Sequence, residues 1–211
     1  MDVDVTLQAI TITTISDQDF RTKTRRVVRL RTDFWKITSL NDLGRQVSEG
    51  QLDRYQVRAE LEQISRSSRR YNNWLVIGAV ALACAAFSRL FGGDWAAFFA
   101  TFLAAGSGIL LRQQLDHANF NRYMVTVVCA FVASLIAGTA DLFNLSTTPG
   151  TAMAASVLFL IPGVQLINAI QDLMKGHTAN GLVRGVIGLI VTLSIATGVF
   201  FTLTLTGLHL P

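Results

Sequence analysis

The chain has 211 residues, of which 51% are hydrophobic and only 15% are charged, with a formal net charge of +4. Soluble domains carry about 25% charged residues, so part of this chain does not face water. Its basic residues are spaced among acids, which argues against nucleic-acid binding. No Gly-rich phosphate loop, metal-ligand cluster or nucleophile–base pair indicates an enzyme, a metal site or a cofactor.

The charges are concentrated at the N-terminal end. Residues 1–73 carry 13 of the 18 Lys and Arg and 10 of the 14 Asp and Glu, which leaves nine charges for residues 74–211. A surface that faces water cannot be built from so few charges. We therefore expect two domains, a cytosolic segment over 1–73 and a transmembrane domain over 74–211.

The first elements are predicted to be strands. Residues 3–14 alternate apolar and polar side chains and are rich in Val, Ile and Thr, which predicts one half-buried strand. Residues 16–19 predict a turn, and residues 22–30 predict a returning strand. The expected result is a strand pair.

Two amphipathic helices are predicted next. The first runs from about 34 to 48 with one apolar stripe, and the second begins at an N-cap, Asp53, with Gln56 three residues on. The second helix is expected to bury Tyr55, Leu61 and Ile64. This small α+β segment has too little apolar surface to be stable alone, so we expect it to dock on something else.

Apolar runs then follow at about 74–91, 95–111, 123–143, 151–173 and 182–208. A helix needs about 20 residues to cross the hydrocarbon core, and only helices satisfy the backbone of such segments internally. The second run is short for a span, and the last is long enough to tilt. The pattern predicts an α-helical integral membrane protein with five transmembrane helices.

The loops indicate an orientation. Counting loops and span ends, 17 of the 18 basic residues fall on the side of the N-terminus, and only Arg89 falls on the other. Cytoplasmic loops carry an excess of Lys and Arg. We therefore expect a cytoplasmic N-terminus and a C-terminus across the membrane.

Span four carries the residues that indicate function. Pro162 removes a backbone hydrogen bond and Gly163 loosens the same turn, so this helix is predicted to kink or break. Gln165, Asn168 and Asp172 then recur on one helix face. Broken helices with polar faces are how many transporters build substrate sites, so these five residues are the candidate transport path.

A plainer interpretation stays open for the same residues. The Pro-Gly pair could serve only as a packing kink. Asp172 could lie at the cytoplasmic end of the span and pair with Lys175 or Arg184. We favour the transport path for the combination of break and polar face, and weight the two interpretations about equally for Asp172 alone.

Small residues four apart indicate close helix contacts in two other spans. They are found in span two and at the entry to span five: Ala100, Ala104, Gly108, Gly181 and Gly185. Cys84 and Cys129 lie within apolar runs and are expected to be small core residues.

The run AMAASVLFLIPGVQLINAIQDLMKGHTANGLVRG resembles the signature of the threonine/serine exporter family (ThrE-type), in its split, two-component form. The matching positions are Pro162, Gly163, Asn168, Asp172, Gly176 and Gly181. The stretch TRRVVRLRTDFWKITSLNDLGRQVSEGQLDRYQVRAELEQI resembles the cytosolic segment of the family. Members of the family usually carry a further N-terminal stretch, so this cytosolic domain is expected to be abbreviated or its start misassigned.

The resemblance implies export of small amino acids such as threonine and serine, or of dicarboxylates such as succinate, across an inner membrane and driven by the proton gradient. It also implies a second, smaller membrane subunit, with a homo-oligomer as another possibility. The alternative is a non-transporting scaffold that recruits a partner through its cytosolic segment. A membrane-embedded enzyme is the least favoured hypothesis.

Overall fold

The computed structural model describes residues 2–6, 9–16, 19–26, 33–67, 71–142 and 146–207. They form two compact units, Met1–Tyr71 and Asn72–Pro211. The first unit holds most of the charged residues, and the second holds the apolar runs.

The first unit opens with three antiparallel strands in the order β1-β2-β3. They are β1 (Asp2–Val5), β2 (Ala9–Ser16) and β3 (Asp19–Arg26). The prediction of a single strand over 3–14, and hence of a strand pair, is wrong. The chain reverses after β1, and the N–H and hydroxyl of Thr6 both donate to the carbonyl of Ala9, at 2.9 and 3.0 Å.

The sequence explains this reversal. The apolar alternation changes phase between Ala9 and Ile10, so one continuous strand would place its apolar side chains on opposite faces. With two strands, Val3 lies opposite Ile12. β3 begins earlier than predicted, and residues 17–18 of the predicted turn and 27–30 of the predicted returning strand lie outside the described residues.

Two helices complete the first unit, α1 (Phe34–Ser48) and α2 (Arg54–Arg66). The N-cap prediction is confirmed: the Asp53 N–H donates to Gln56 Oε1 at 2.9 Å. The predicted burial is wrong for Tyr55 and Leu61, which are 78% and 43% exposed, and right for Ile64. Because α1 and α2 pack chiefly on each other, the side chains on their outer faces stay exposed.

The second unit is helical. Among its described residues, four helices are long and apolar enough to cross a membrane: α3 (Asn73–Leu90), α4 (Trp95–His117), α5 (Arg122–Leu142) and α8 (Thr178–Thr206). The remaining run forms α6 (Pro149–Ser156), a 3-10 turn (Leu158–Leu160) and α7 (Gly163–Met174), with a bend of 63° at the break. The count is five spans when the bent pair is taken as one.

α4 is longer than its predicted run because its polar end, from Arg112 to His117, continues the helix. α5 lies in the core and packs against α4 and α8 through small side chains, among them Cys129 and Ala133, both fully buried. α8 approaches so closely that a Cβ on Gly198 would lie 2.5 Å from the carbonyl oxygen of Val127. Cys84 is buried as well, as predicted.

Candidate functional site

Span four breaks at Pro162. The helix ends in the 3-10 turn, where the Ile161 N–H donates to the Leu158 carbonyl at 3.1 Å. Pro162 has no N–H to continue the ladder. A new ladder starts one residue on, with the Leu166 N–H donating to the Pro162 carbonyl at 3.1 Å. The span is therefore two short helices joined by an opened turn.

A cation faces this opened turn. Arg112, near the end of α4, donates through Nη1 to the carbonyl of Phe159 at 3.5 Å. The side chain is partly buried, and no carboxylate lies within ion-pair distance of it among the described residues. Sequence reasoning treated Arg112 only as an orientation signal and missed this contact, because nothing in the local sequence links residues 112 and 159.

α7 has two different faces. Val164, Ile167 and Ile170 are exposed, each by more than half. Gln165, Asn168 and Asp172 are all partly buried instead. The 3.6-residue period of the helix thus turns its amide and carboxyl groups away from the exposed apolar face.

α7 packs back on the start of α8 through glycines. A Cβ on Gly181 would lie 2.7 Å from Leu173 Cγ, and one on Gly188 would lie 2.6 Å from Leu166 Cδ2. At Gly185 a Cβ would be 3.9 Å from Ala169, which is ordinary contact. Close approach of the two helices therefore depends on Gly181 and Gly188 more than on Gly185.

The two helices also share an ion pair. Asp172 Oδ2 lies 3.1 Å from Arg184 Nε. This is one of the two partners that the plainer interpretation named; the other, Lys175, lies at the exposed end of α7. Asp172 is thus not a lone carboxyl group, and any role in transport has to include Arg184.

This pair lies in a region of unsatisfied polar atoms. Four buried side-chain atoms in the described part of the chain have no hydrogen-bond partner: Gln165 Oε1, Asp172 Oδ2, Arg184 Nε and Ser88 Oγ. Three of the four belong to α7 and α8. Asp172 and Arg184 are close enough to pair, yet the N–H is not aimed for a hydrogen bond. Buried polar groups without partners are uncommon and mark places where a ligand or water fits.

The small residues of span two lie against span four. Ala104 is fully buried, and a Cβ on Gly108 would lie 2.8 Å from the ring of Phe159. Ala100 is partly buried. The hydroxyl of Thr101 donates to the carbonyl of Ala152 at 3.3 Å. α4 therefore holds the first half of the broken span in place.

Asp94 holds the segment that leads into the N-terminal end of α6. The sequence analysis did not identify this residue. As the N-cap of α4 its carboxylate accepts from the Ala97 N–H at 2.6 Å, and it also accepts from the Ser146 hydroxyl and the Thr147 N–H. The bond from Ala97, with those from Thr147 and Ser146, lowers the pKa of Asp94 to about 2. An acid before an apolar run signals a cap, but no sequence signal identifies partners 50 residues away.

Comparison with known proteins places this arrangement in a family. A family model described as "Putative threonine/serine exporter" matches residues 1–206. The chain is 36% identical to the "Probable succinate transporter subunit YjjP" of Klebsiella aerogenes, over 97% of this chain and 79% of that protein. It is 35% identical to the protein of the same description from Escherichia coli, over 97% and 80%.

A more distant relative is longer. The "Probable threonine/serine exporter" of Mycobacterium tuberculosis is 25% identical over 95% of this chain, which corresponds to 38% of that protein. No solved structure matches. These descriptions name transport, and the helices long and apolar enough to cross a membrane agree with them, so the chain is a multi-pass membrane protein of a transporter family.

Proposed function

The chain belongs to the threonine/serine exporter family, and from that premise we propose that it is a subunit of a secondary-active exporter. Its cargo is a small carboxylate, either a dicarboxylate such as succinate or an amino acid such as threonine or serine. The observation that carries this proposal is the broken span, whose second half turns Gln165, Asn168 and Asp172 away from its exposed apolar face.

Each part of the site has a role in this proposal. The amides of Gln165 and Asn168 bind the polar groups of the cargo. The opened turn at Pro162-Gly163 adds backbone donors and acceptors. Asp172 either takes up a proton, which couples export to the proton gradient, or pairs with the ammonium group of an amino acid.

We propose that a second, smaller membrane subunit completes the path. The chain matches only 38% of the exporter from Mycobacterium tuberculosis, so more than half of that protein lies outside the match. The YjjP relatives are named as subunits. One broken helix with one polar face can also line only part of a transport path.

The proposed location is a bacterial inner membrane, with the N-terminus in the cytoplasm. The support is the distribution of charge, with 17 of 18 basic residues on the N-terminal side. In this orientation the first unit, Met1–Tyr71, lies in the cytoplasm, which is the side from which the cargo is exported.

The test is efflux of labelled succinate, threonine and serine from cells that carry Asp172→Asn or Asn168→Ala. We expect efflux of the cargo to fall in both variants at unchanged protein level. Ile170→Ala is the matched control, because Ile170 is 59% exposed on the apolar face of the same helix. It should leave efflux unchanged.

The rival hypothesis of a scaffold predicts a different pattern. If the cytosolic unit only recruits a partner, deletion of residues 1–70 abolishes the phenotype and the α7 substitutions have no effect. Normal efflux in both Asp172→Asn and Asn168→Ala would remove α7 from the mechanism.

A further inference from the structure

We propose that Arg184 binds the carboxylate of the cargo, and that Asp172 holds the guanidinium only until that carboxylate takes its place. This inference rests on the proposed function and specifies the chemistry of its site. It assigns to α8 a binding residue, and it makes the ion pair the resting state of the site.

The geometry of the pair favours exchange. The contact runs from Asp172 Oδ2 to Arg184 Nε at 3.1 Å, without an aligned hydrogen bond. A carboxylate binds guanidinium best through two parallel N–H···O bonds. The recorded contact of Arg184 with Asp172 uses Nε and a single carboxylate oxygen, and not two parallel bonds. A cargo carboxylate can therefore gain contacts that Asp172 does not make.

The position of the pair permits access. The side chains of Arg184 and Asp172 are 33% and 23% exposed, so the pair is neither closed off nor freely solvated. Gln165 lies on the same side of α7 as Asp172, nearly two turns away, with its own buried oxygen unpartnered. A small ligand that reaches Arg184 from this side meets an amide as well as a charge.

The packing of α7 on α8 does not depend on the ion pair. α7 and α8 are already held together where Leu173 lies over Gly181 and Leu166 lies over Gly188. A partly buried ion pair contributes little net stability because both charges lose hydration. A purely structural role is therefore a weak reason for placing two charges between these helices.

The charge of the site separates the two classes of cargo. An amino acid places its carboxylate on Arg184 and its ammonium on Asp172, so both charges of the pair stay matched. A dicarboxylate has no ammonium group, so it binds Arg184 against the opposing charge of Asp172. Removing that opposing charge favours the dicarboxylate and disfavours the amino acid.

The experiment measures the Kd values of succinate, threonine and neutral succinamide by calorimetry. The full-length chain is purified from its native membrane with any subunit that accompanies it. We expect Arg184→Gln to weaken binding of whichever carboxylate the wild type binds by about tenfold or more. Arg184→Lys, which keeps the charge but not the planar fork, should fall between. Succinamide should not bind.

Asp172→Asn tests the exchange itself. It should tighten succinate binding and weaken threonine binding. The double variant Asp172→Asn/Arg184→Gln leaves no unpaired charge and so controls for folding; it should be as stable as the wild type and still fail to bind. Arg45→Gln is the matched control, since it breaks an exposed Asp42–Arg45 pair of 3.2 Å in α1.

The outcomes distinguish this inference from the proposed function. Wild-type affinity in a folded Arg184→Gln variant, with efflux intact in the wild type, would overturn the role of Arg184 and leave the exporter standing. Weaker succinate binding in Asp172→Asn would overturn the exchange. A wild type that neither binds nor exports any of these carboxylates would overturn both.

Discussion

The guanidinium of Arg112 lies 3.5 Å from the carbonyl oxygen of Phe159, so α4 presents a cation to the backbone where span four breaks. A charge inside a span is costly unless it has a polar partner. Here the partner is a carbonyl in the short turn before Pro162. The carbonyl beside the break therefore gains a hydrogen-bond donor, and the partly buried charge of Arg112 gains a polar partner.

Replacement of Arg112 by Leu should destabilise this turn. The Phe159 carbonyl loses the guanidinium donor, and we expect a loss of about 1 kcal/mol together with reduced efflux. Thermal unfolding of the purified protein and efflux from cells measure the two effects. Arg122→Leu, at the exposed start of α5, is the control and should change neither. Equal effects from both variants would contradict the special role of Arg112.

Gly181→Ala should separate α7 from α8. The new Cβ would lie 2.7 Å from Leu173 Cγ and 2.9 Å from the backbone oxygen of Ala169, which cannot move without shifting the helix. Overpacking of this kind costs about 1–3 kcal/mol. The matched variant is Gly185→Ala, whose Cβ would lie 3.9 Å from Ala169. Thermal unfolding should show a lower midpoint for the first and little change for the second.

Asp94 should make stability depend on pH in the acid range. The N–H of Ala97 and the groups of Thr147 and Ser146 lower its pKa from 3.8 to about 2, so the folded state favours the carboxylate. The contribution to stability is complete above about pH 4 and is lost as the pH falls through about 2. The unfolding midpoint measured between pH 2 and 5 should follow this course.

Asp94→Asn is the control for that titration. Asparagine can still cap α4 but does not ionise. The difference in stability between the two proteins should therefore be constant above about pH 4, shrink as the pH falls, and level off below about pH 2. A difference that stays constant across the range would mean that Asp94 contributes no linked proton.

Much of this architecture can be predicted from the sequence, because a segment that crosses lipid has to be apolar, long enough and hydrogen-bonded within itself. The apolar runs set the spans, and Pro162 sets the break, since the local chemistry of each residue decides the outcome. The capping box at Asp53 and Gln56 is local in the same sense. The strand prediction failed where apolar alternation changed phase after Ala9, a local signal that a single-strand interpretation overrode.

The contacts of the site were less predictable because they join distant parts of the chain. Either Lys175 or Arg184 could have paired with Asp172, and only the packing of α7 on α8 selects Arg184. Arg112 meets Phe159, and Asp94 meets Ser146, across about 50 residues. These groups are brought together by helix packing, and the hydrophobic periodicity of the sequence does not predict which helices pack on one another.

The transport path on α7 is tested most directly by asking whether the polar side of this helix is accessible to water. In a background of Cys84→Ala and Cys129→Ala, single cysteines at Gln165 and Val164 are treated with a water-soluble thiosulfonate reagent in intact membranes. The two positions are adjacent, so depth is matched. Val164 lies on the exposed apolar face, whereas Gln165 does not.

We expect Gln165→Cys to react quickly, with protection by the transported carboxylate, and Val164→Cys to react slowly. Equal and slow labelling at both positions would mean that the amide side of α7 is packed dry against its neighbours. That result would contradict the transport path built on the broken span.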